Sequence, residues 1–496
     1  MNKEKPQNTY THILKYTSIF GGVQGLNILI ALVRNKFVAL ILGPYGMGLL
    51  SLFNSTTRFL GDVTNLGLGM SAVKNISAAY ERQDDAALAQ AIKTVRSWSL
   101  LTALTGMLLC MALSPLLSKW TFGWGNHTLH FALLSPVVAM TAIMGGELAI
   151  MKGTRELGHL ARQSVYSIAA ALLVSVPIYY IWHAAAIIPS LILIALAQMI
   201  ITIAFSFRSH PPRYTLRRST LRSGIGMVKL GTAFLFAGMF GSGSEFLVRS
   251  YLNNAGSQDI LGLYNAGYMM AFTYAGMVFS AMETDYFPRL SAIPGTGSTL
   301  NDVVNKQIEV SLLLISPLLA CFIIGLPIII PLLYSRAFLP VLGMAQLTVL
   351  AMYLRAIKLP IAYLPLSRGD SRFYLLMEGI YAIVFVVLSV VLFHLFGLIG
   401  MGLALLSVAL FDLFMLTVCM HLRYGYRPSK SVIIIAVYQL PIGMAAYATT
   451  FIHHPAVYWL VGIALCLLSL YISLHILRSK TRLWEKLKEK WTKRKK

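Results

Sequence analysis

The stretch NKFVALILGPYGMGLLSL, residues 35–52, joins two long apolar segments through Gly43-Pro44 and returns as LGLYNAGYMMAF, residues 261–272. At one offset, 219 positions, Leu42 matches Leu261, Gly43 matches Gly262, Tyr45 matches Tyr264, Gly48 matches Gly267 and Phe53 matches Phe272. Glycine at such a junction permits a tight turn or a close helix approach that a side chain would block. Identities at a single offset inside apolar sequence point to a chain built from two related halves, a construction frequent in transporters.

The surrounding composition sets the solvent. Of 496 residues, 57% are hydrophobic and 12% charged, with mean hydropathy +0.70. Soluble domains carry about 25% charged residues. The apolar runs are continuous rather than alternating, so the expected spans are helices and not barrel strands. Fourteen spans are expected between residues 12 and 477, one of them over 46–72. A 22-residue span is about 33 Å long, enough to cross a bilayer core. The first span is expected to be retained, because no small-residue cleavage site follows it. No loop is long enough to hide a large soluble domain.

The net charge of +23 at first suggests nucleic acid. The distribution argues otherwise. With the N-terminus inside, the basic residues gather in the inner loops and the C-terminal tail, as cytoplasmic segments do. The exceptions are Arg34, Lys36, Arg58, Lys119, Arg249, Arg336 and Arg355. Both termini are therefore expected in the cytoplasm. The expected organisation is a tail (1–11), an N-lobe of six spans (12–207), a basic linker (208–224), a C-lobe of six spans (225–421), two additional spans (431–477) and a basic tail (478–496). The linker, RSHPPRYTLRRSTLR over 208–222, is broken by Pro211-Pro212 and suits anionic lipid headgroups. Lys152-Gly153 and Arg368-Gly369, 216 positions apart, support the two-lobe division. In the tail, Leu483, Trp484, Leu487 and Trp491 share one helical face, fit either for the inner leaflet or for solvent.

Charges inside spans are costly and usually face a cavity or a partner. Arg58 and Asp62 are four apart on one face; Glu245 and Arg249 repeat that spacing in reverse sign order; Arg355 and Lys358 share a face. Arg58, Arg355 and Asp412 lie deepest and are expected in a polar, net positive cavity, with helix-to-helix pairing as the other reading. Lys358, Glu147, Glu283, Asp285, Arg289 and Glu378 lie near inner ends and are expected to anchor at the interface. Gln24 and Asn27 bridge helices or meet a sugar. The four cysteines have no metal-ligand spacing, and His453-His454 is poor metal evidence. There is no Walker loop, nucleophile elbow or zinc motif, so no metal or cofactor and no catalytic residue is expected.

Asn35-Lys36-Phe37-Val38-Ala39, Leu42-Gly43-Pro44, Gly46-Met47-Gly48-Leu49, Met151-Lys152-Gly153-Thr154-Arg155 and Phe287-Pro288-Arg289-Leu290-Ser291 stand in the order and spacing of a known family. Over about residues 12–421 the chain resembles the polysaccharide flippase branch, the O-antigen type translocases, of the multidrug/oligosaccharidyl-lipid/polysaccharide exporter superfamily. The resemblance implies an all-α polytopic membrane protein whose two six-helix lobes, related by pseudo-two-fold symmetry, face a central cavity, with a C-terminal helix pair appended. It implies alternating access and a cargo of undecaprenyl pyrophosphate carrying an oligosaccharide, in the bacterial cytoplasmic membrane. It implies a cationic cavity formed by Arg34, Lys36, Arg58, Arg249 and Arg355. Asp62, Glu245 and Asp412 are then either charge partners or exchange sites for a coupling ion, H⁺ or Na⁺. Expected partners are the lipid-linked glycan, anionic lipids, and a glycan polymerase with glycosyltransferases. Competing readings are an ion-coupled multidrug antiporter, a membrane glycan polymerase or acyltransferase, and a non-transporting scaffold of a glycan assembly complex.

Overall fold

The computed structural model describes residues 6–480 apart from 124, 213–214, 216, 258, 277–278, 280–285, 287–288, 292 and 294–296. Glu283, Asp285 and the tail beyond residue 480 lie outside the described residues, as do the side chains of residues 6–22, Gln24 among others. Every long element among the described residues is a helix and none is a strand, because a backbone in hydrocarbon must satisfy its own polar groups.

The elements run α1 (Pro6–Thr64), α2 (Leu68–Glu81), α3 (Asp85–Thr121), α4 (Thr128–Gly153), α5 (Leu157–Trp182), α6 (Ile187–Ser209), a short α7 (Arg218–Ser223) and α8 (Ile225–Ala255). They continue as α9 (Ile260–Met269), α10 (Ser298–Leu333), α11 (Leu342–Ser367), α12 (Ser371–Tyr424), α13 (Lys430–Thr449) and α14 (Pro455–Lys480). Among the described residues nine segments are long and apolar enough to cross a bilayer, which makes this a multi-pass membrane protein. Three of them exceed one crossing: Gly25–Thr64 has 40 residues, Leu157–Ser209 has 53 and Ser371–Tyr424 has 54. Each carries an internal break, at Gly43 (φ 64°), at the 3₁₀ turn His183–Ala186 and at Gly397 (φ 59°). Those φ values are open to glycine at little cost and restart the helix in a new direction.

The expected span 46–72 is not one helix. It stops at Thr64, where Leu66 and Gly67 both take positive φ, and α2 restarts at Leu68. The reason is a close crossing: a Cβ on Gly67 would sit 2.0 Å from the Gly231 carbonyl of α8. A continuous helix with side chains there would keep the two backbones apart.

Two compact units emerge, Met1–Gly262 with Leu332–Ala337, and Leu263–Pro331 with Phe338–Lys496. Helix α8, counted from sequence with the second lobe, packs in the first unit. A Cβ on Gly48 would lie 2.8 Å from the Gly262 amide nitrogen, and one on Gly262 would lie 1.7 Å from the Pro44 carbonyl. Phe59 of α1 stacks on Phe246 of α8 at 5.3 Å, with Gly243 beneath the Phe59 ring. In this unit Leu68, Ile76, Ile92, Val95, Ile150 and Met227 close one apolar core among α2, α3, α4 and α8. In the second unit Ala351, Leu354 and Ala409 hold α11 against α12. Many large apolar side chains point outward, Leu173, Phe414 and Leu422 among them, as lipid-facing surfaces require.

Gly262→Ala should lower the melting temperature in detergent, since added volume at a packed contact costs about 1–3 kcal/mol. Gly69→Ala, where a Cβ meets nothing within 4 Å, should leave it nearly unchanged.

Candidate functional site

Past the Gly43-Pro44 break, α1 carries Asn54, Thr57, Arg58, Gly61 and Asp62, spaced as one helical face, and Asn65 follows just beyond its end. That face borders a cavity of ≈ 400 Å³, completed by Thr141 and Ala142 of α4 and by Ile194 and Gln198 of α6. Its lining mixes amides and hydroxyls with apolar walls, the composition that holds a polar ligand in place.

The charges of α1 and α8 meet at this level. Arg249 Nη1 donates to Glu245 Oε2 at 2.8 Å, and the Arg249 side chain is 8% exposed. Arg58 Nη1 stands 3.8 Å from Glu245 Oε2, and Arg58 Nε stands 4.0 Å from Asp62 Oδ2. Those separations give attraction without a hydrogen bond. The Arg58 side chain is 66% exposed, so its planar fork of donors is available to oxygens of a ligand. The four expected residues Arg58, Asp62, Glu245 and Arg249 thus form one cluster. Its charges balance: it is not net positive, but its most exposed member is a cation.

Arg34 and Lys36 stand elsewhere. They precede the Gly43 break, and Arg34 Nε donates to Ser175 Oγ of α5 at 3.0 Å. Lys36 Nζ donates to the Tyr334 carbonyl at 2.5 Å, just beyond the end of α10, where exposed carbonyls attract a cation.

Arg355 lies in the second unit. A cavity of ≈ 180 Å³ is lined there by Arg355, Lys358, Tyr374, Glu378, Tyr381 and Asp412. The Arg355 guanidinium lies over the rings of Phe272 and Phe279, at 5.1 and 5.8 Å. Phe272 belongs to a π-helical turn, Met270–Ala275, that follows α9. Lys358 forms an ion pair with Asp412 and lies 4.7 Å from the Tyr381 ring centroid. Lys358 is therefore the counter-ion of Asp412 rather than an interface anchor.

Glu147, also expected as an interface anchor, is 4% exposed, and its partner Arg96 is 5% exposed. Arg96 Nε and Nη2 donate to the two Glu147 oxygens at 2.8 and 3.0 Å. Its remaining donors reach the carbonyls of Pro211 at 2.7 Å and His210 at 3.0 Å, and Ser206 Oγ donates to Glu147 Oε2 at 2.5 Å. Ser97 Oγ accepts from the Thr215 amide and Trp98 Nε1 donates to the Leu221 carbonyl. Three consecutive residues of α3 thus hold the basic linker by its backbone, while Arg208, Arg217, Arg218 and Arg222 remain exposed. A signal for the pair existed in the sequence. Arg96 immediately precedes the third expected span, 97–118, and Glu147 nears the end of the fourth, 128–151, so antiparallel neighbours put them at one depth.

Each unit holds an acid just after a helix end. Glu156, after α4, accepts from Ser209 Oγ at 2.9 Å, with His159 Nδ1 at 2.9 Å and His210 Nε2 at 2.8 Å. Asp370, 214 positions later and after α11, accepts from Arg423 Nε at 2.6 Å and Tyr424 Oη at 2.9 Å. Ser209 and His210 match Arg423 and Tyr424 at that same offset. Burial by itself raises the Glu156 carboxyl, but the hydrogen bonds from His159 and Ser209 and the adjacent histidine charges outweigh it and hold it below the usual range. Asp370 is held low against the same opposing effect, by Arg423 and Tyr424.

A family profile described as polysaccharide biosynthesis protein matches residues 37–342. No protein of curated function matches the sequence. The lipid II flippase MurJ in an inward closed conformation superposes with TM-score 0.71 at 14% identity, covering 95% of this chain and 100% of that one. An inward-facing multidrug resistance MATE transporter of the MOP superfamily gives 0.66 at 12%, covering 80% and 94%. A MOP superfamily transporter from Pyrococcus furiosus, described as having a binding pocket of reverse polarity, gives 0.59 at 11%, covering 83% and 96%. The fold is that of MOP-superfamily transporters.

Glu147→Ala leaves the Arg96 guanidinium buried without its carboxylate and should cost about 3–5 kcal/mol, read as a large fall in melting temperature. A carboxyl depressed by folding adds stability above its unfolded pKa, ~4.3 for Glu, and loses it as pH falls through the lower folded value. The melting-temperature deficit of Glu156→Gln should therefore be largest near neutrality and shrink below about pH 4.

Proposed function

Because the chain belongs to the polysaccharide biosynthesis protein family, we propose that it is a flippase for undecaprenyl-pyrophosphate-linked oligosaccharide repeat units. It moves them from the inner to the outer leaflet of the bacterial cytoplasmic membrane, for O-antigen, capsule or exopolysaccharide synthesis. It has fourteen crossings in two pseudo-symmetric lobes plus a C-terminal pair, with both termini cytoplasmic, and it works by alternating access.

The observation that carries this reading is Arg58, the exposed cation bordering the amide- and hydroxyl-lined cavity. A pyrophosphate and its sugars cannot enter hydrocarbon, because their polar groups would lose water without replacement. A cavity with an available guanidinium replaces that water, since its fork matches phosphate oxygens two at a time. Arg58 takes the diphosphate; Asn54, Asn65 and Gln198 take sugar hydroxyls. Asp62 and Glu245 keep the grip weak enough for release on the far side. Arg355 offers a second guanidinium in the second unit, with a buried Nε that has no hydrogen-bond partner among the described residues. No covalent bond changes. Asp62, Glu245 or Asp412 exchanges the coupling ion, H⁺ or Na⁺, and glycosyltransferases and a polymerase act before and after transport. An antiporter for organic cations would need an acid, not an arginine, as the exposed charge of the cavity.

Arg58→Glu should cut leaflet exchange of the lipid-linked repeat unit in proteoliposomes by roughly tenfold or more, the worth of one charged hydrogen-bonding group. In cells the unit should accumulate on the cytoplasmic side while membrane insertion stays normal. Arg355→Glu should do the same, and unimpaired exchange in both variants would overturn the assignment.

A further inference from the structure

The turn 122–127 joins α3 to α4 at the end of the first unit remote from the basic linker, separated from Arg96 by about 38 Å of helix. Two asparagines at the end of α8 hold the backbone of the last two residues of α3 and of Gly123 just after them. Asn254 accepts the Gly123 amide on Oδ1 and donates Nδ2 to the Trp120 carbonyl at 2.9 Å. Asn253 donates Nδ2 to the Thr121 carbonyl at 2.9 Å. On the inner side of the turn the His127 ring stacks on Phe122 at 3.9 Å, and Phe122 rests on Phe53 of α1 at 5.7 Å. His127 Nδ1 lies 2.9 Å from His130 Nδ1, one helical turn on.

Two Nδ1 atoms at that distance accommodate a single proton. With one, one ring donates and its neighbour accepts. With both rings protonated, two N–H groups and two positive charges face each other and the rings must part. His127 is bound to Phe122 by stacking, so its movement disturbs the turn. Other titratable groups on the surrounding elements include Tyr45 on α1, Cys110 on α3, whose thiol bonds the Phe131 carbonyl, Lys119 and Asp259, both exposed, Tyr251, and Arg249 bonded to Glu245. Burial, together with the charge of His130, holds His127 below the usual imidazole range.

We propose that His127 and His130 form a proton-operated latch, which holds the end of α3 and Gly123 on α8 when one proton is shared and releases them when both rings are charged. Because charging is harder in the latched state, the latch is favoured at neutral pH and lost as pH falls below about 6.5. Its reach comes from helical spacing. Glu245, Arg249 and Asn253 succeed one another at intervals of four on α8, so the face released at Asn253 is the face that carries the charge cluster opposite Arg58. Acidity at that end is thereby linked to the α1–α8 seam, whatever the cargo.

Hydrogen–deuterium exchange of the full chain in nanodiscs, at pH 7.5 and 5.5 with intrinsic rates corrected, reads the latch in the peptide containing Gly123. Protection should fall about fivefold or more at pH 5.5 in the wild type. It should stay constant in His130→Gln, whose amide keeps a donor and an acceptor but does not titrate. Asn254→Ala should be unprotected at both values, which calibrates the probe. If His130→Gln does not fold, His127→Gln carries the same expectation. Unchanged protection in the wild type, or the same acid loss in the glutamine variant, overturns the latch and leaves the transport reading untouched.

Discussion

Helix α1 and the turn after it lie against α8 and the start of α9 because glycine lets backbone meet backbone at two levels, Gly67 of the turn on Gly231 and Gly48 of α1 on Gly262. Hydrocarbon gives helices no hydrophobic reason to associate, so close packing has to supply the attraction. Between those two contacts the helices lie near enough for Phe59 to stack on Phe246 and for Arg58 to approach Glu245. A side chain at either glycine contact would widen the seam and take the charge cluster apart.

That constraint governs where charge is tolerated. Arg96 with Glu147, and Lys358 with Asp412, are matched one to one and withdrawn from solvent. Arg249 is likewise bonded to Glu245. Arg58 differs, being loosely held by two acids and open to the cavity beside it. A tightly bonded guanidinium has fewer donors left for a ligand, while a loosely held one keeps both its position and its capacity. The contrast between Arg58 and Arg96 separates a group suited to binding from one suited to holding helices and linker together.

The resemblance to a polysaccharide flippase family, read from short motifs such as Leu42-Gly43-Pro44 and Met151-Lys152-Gly153, agrees with the family profile over residues 37–342 and with the MOP-superfamily fold. Glu156 and Asp370 occupy comparable places in the two units. Each caps the turn between successive helices and takes its partners from the end of a later one. Their partners differ, histidine and serine in the first unit and arginine and tyrosine in the second.

The sequence by itself determined the solvent, the helical class and the family. Hydrophobic runs and glycine junctions are local properties of the chain, and lipid leaves the backbone little choice but the helix. It also isolated the costly charges, and the i, i+4 spacing of Arg58 with Asp62 and of Glu245 with Arg249 was legible on single helices. Only the tertiary structure decided which charges meet across helices. It joined those two pairs through Arg58 and Glu245, sent Arg34 to Ser175 and Lys36 to Tyr334, and turned the supposed anchors Glu147 and Lys358 into halves of ion pairs. The physical reason is that depth can be counted along one helix, but the partner at that depth depends on which other helix lies alongside and how it is rotated.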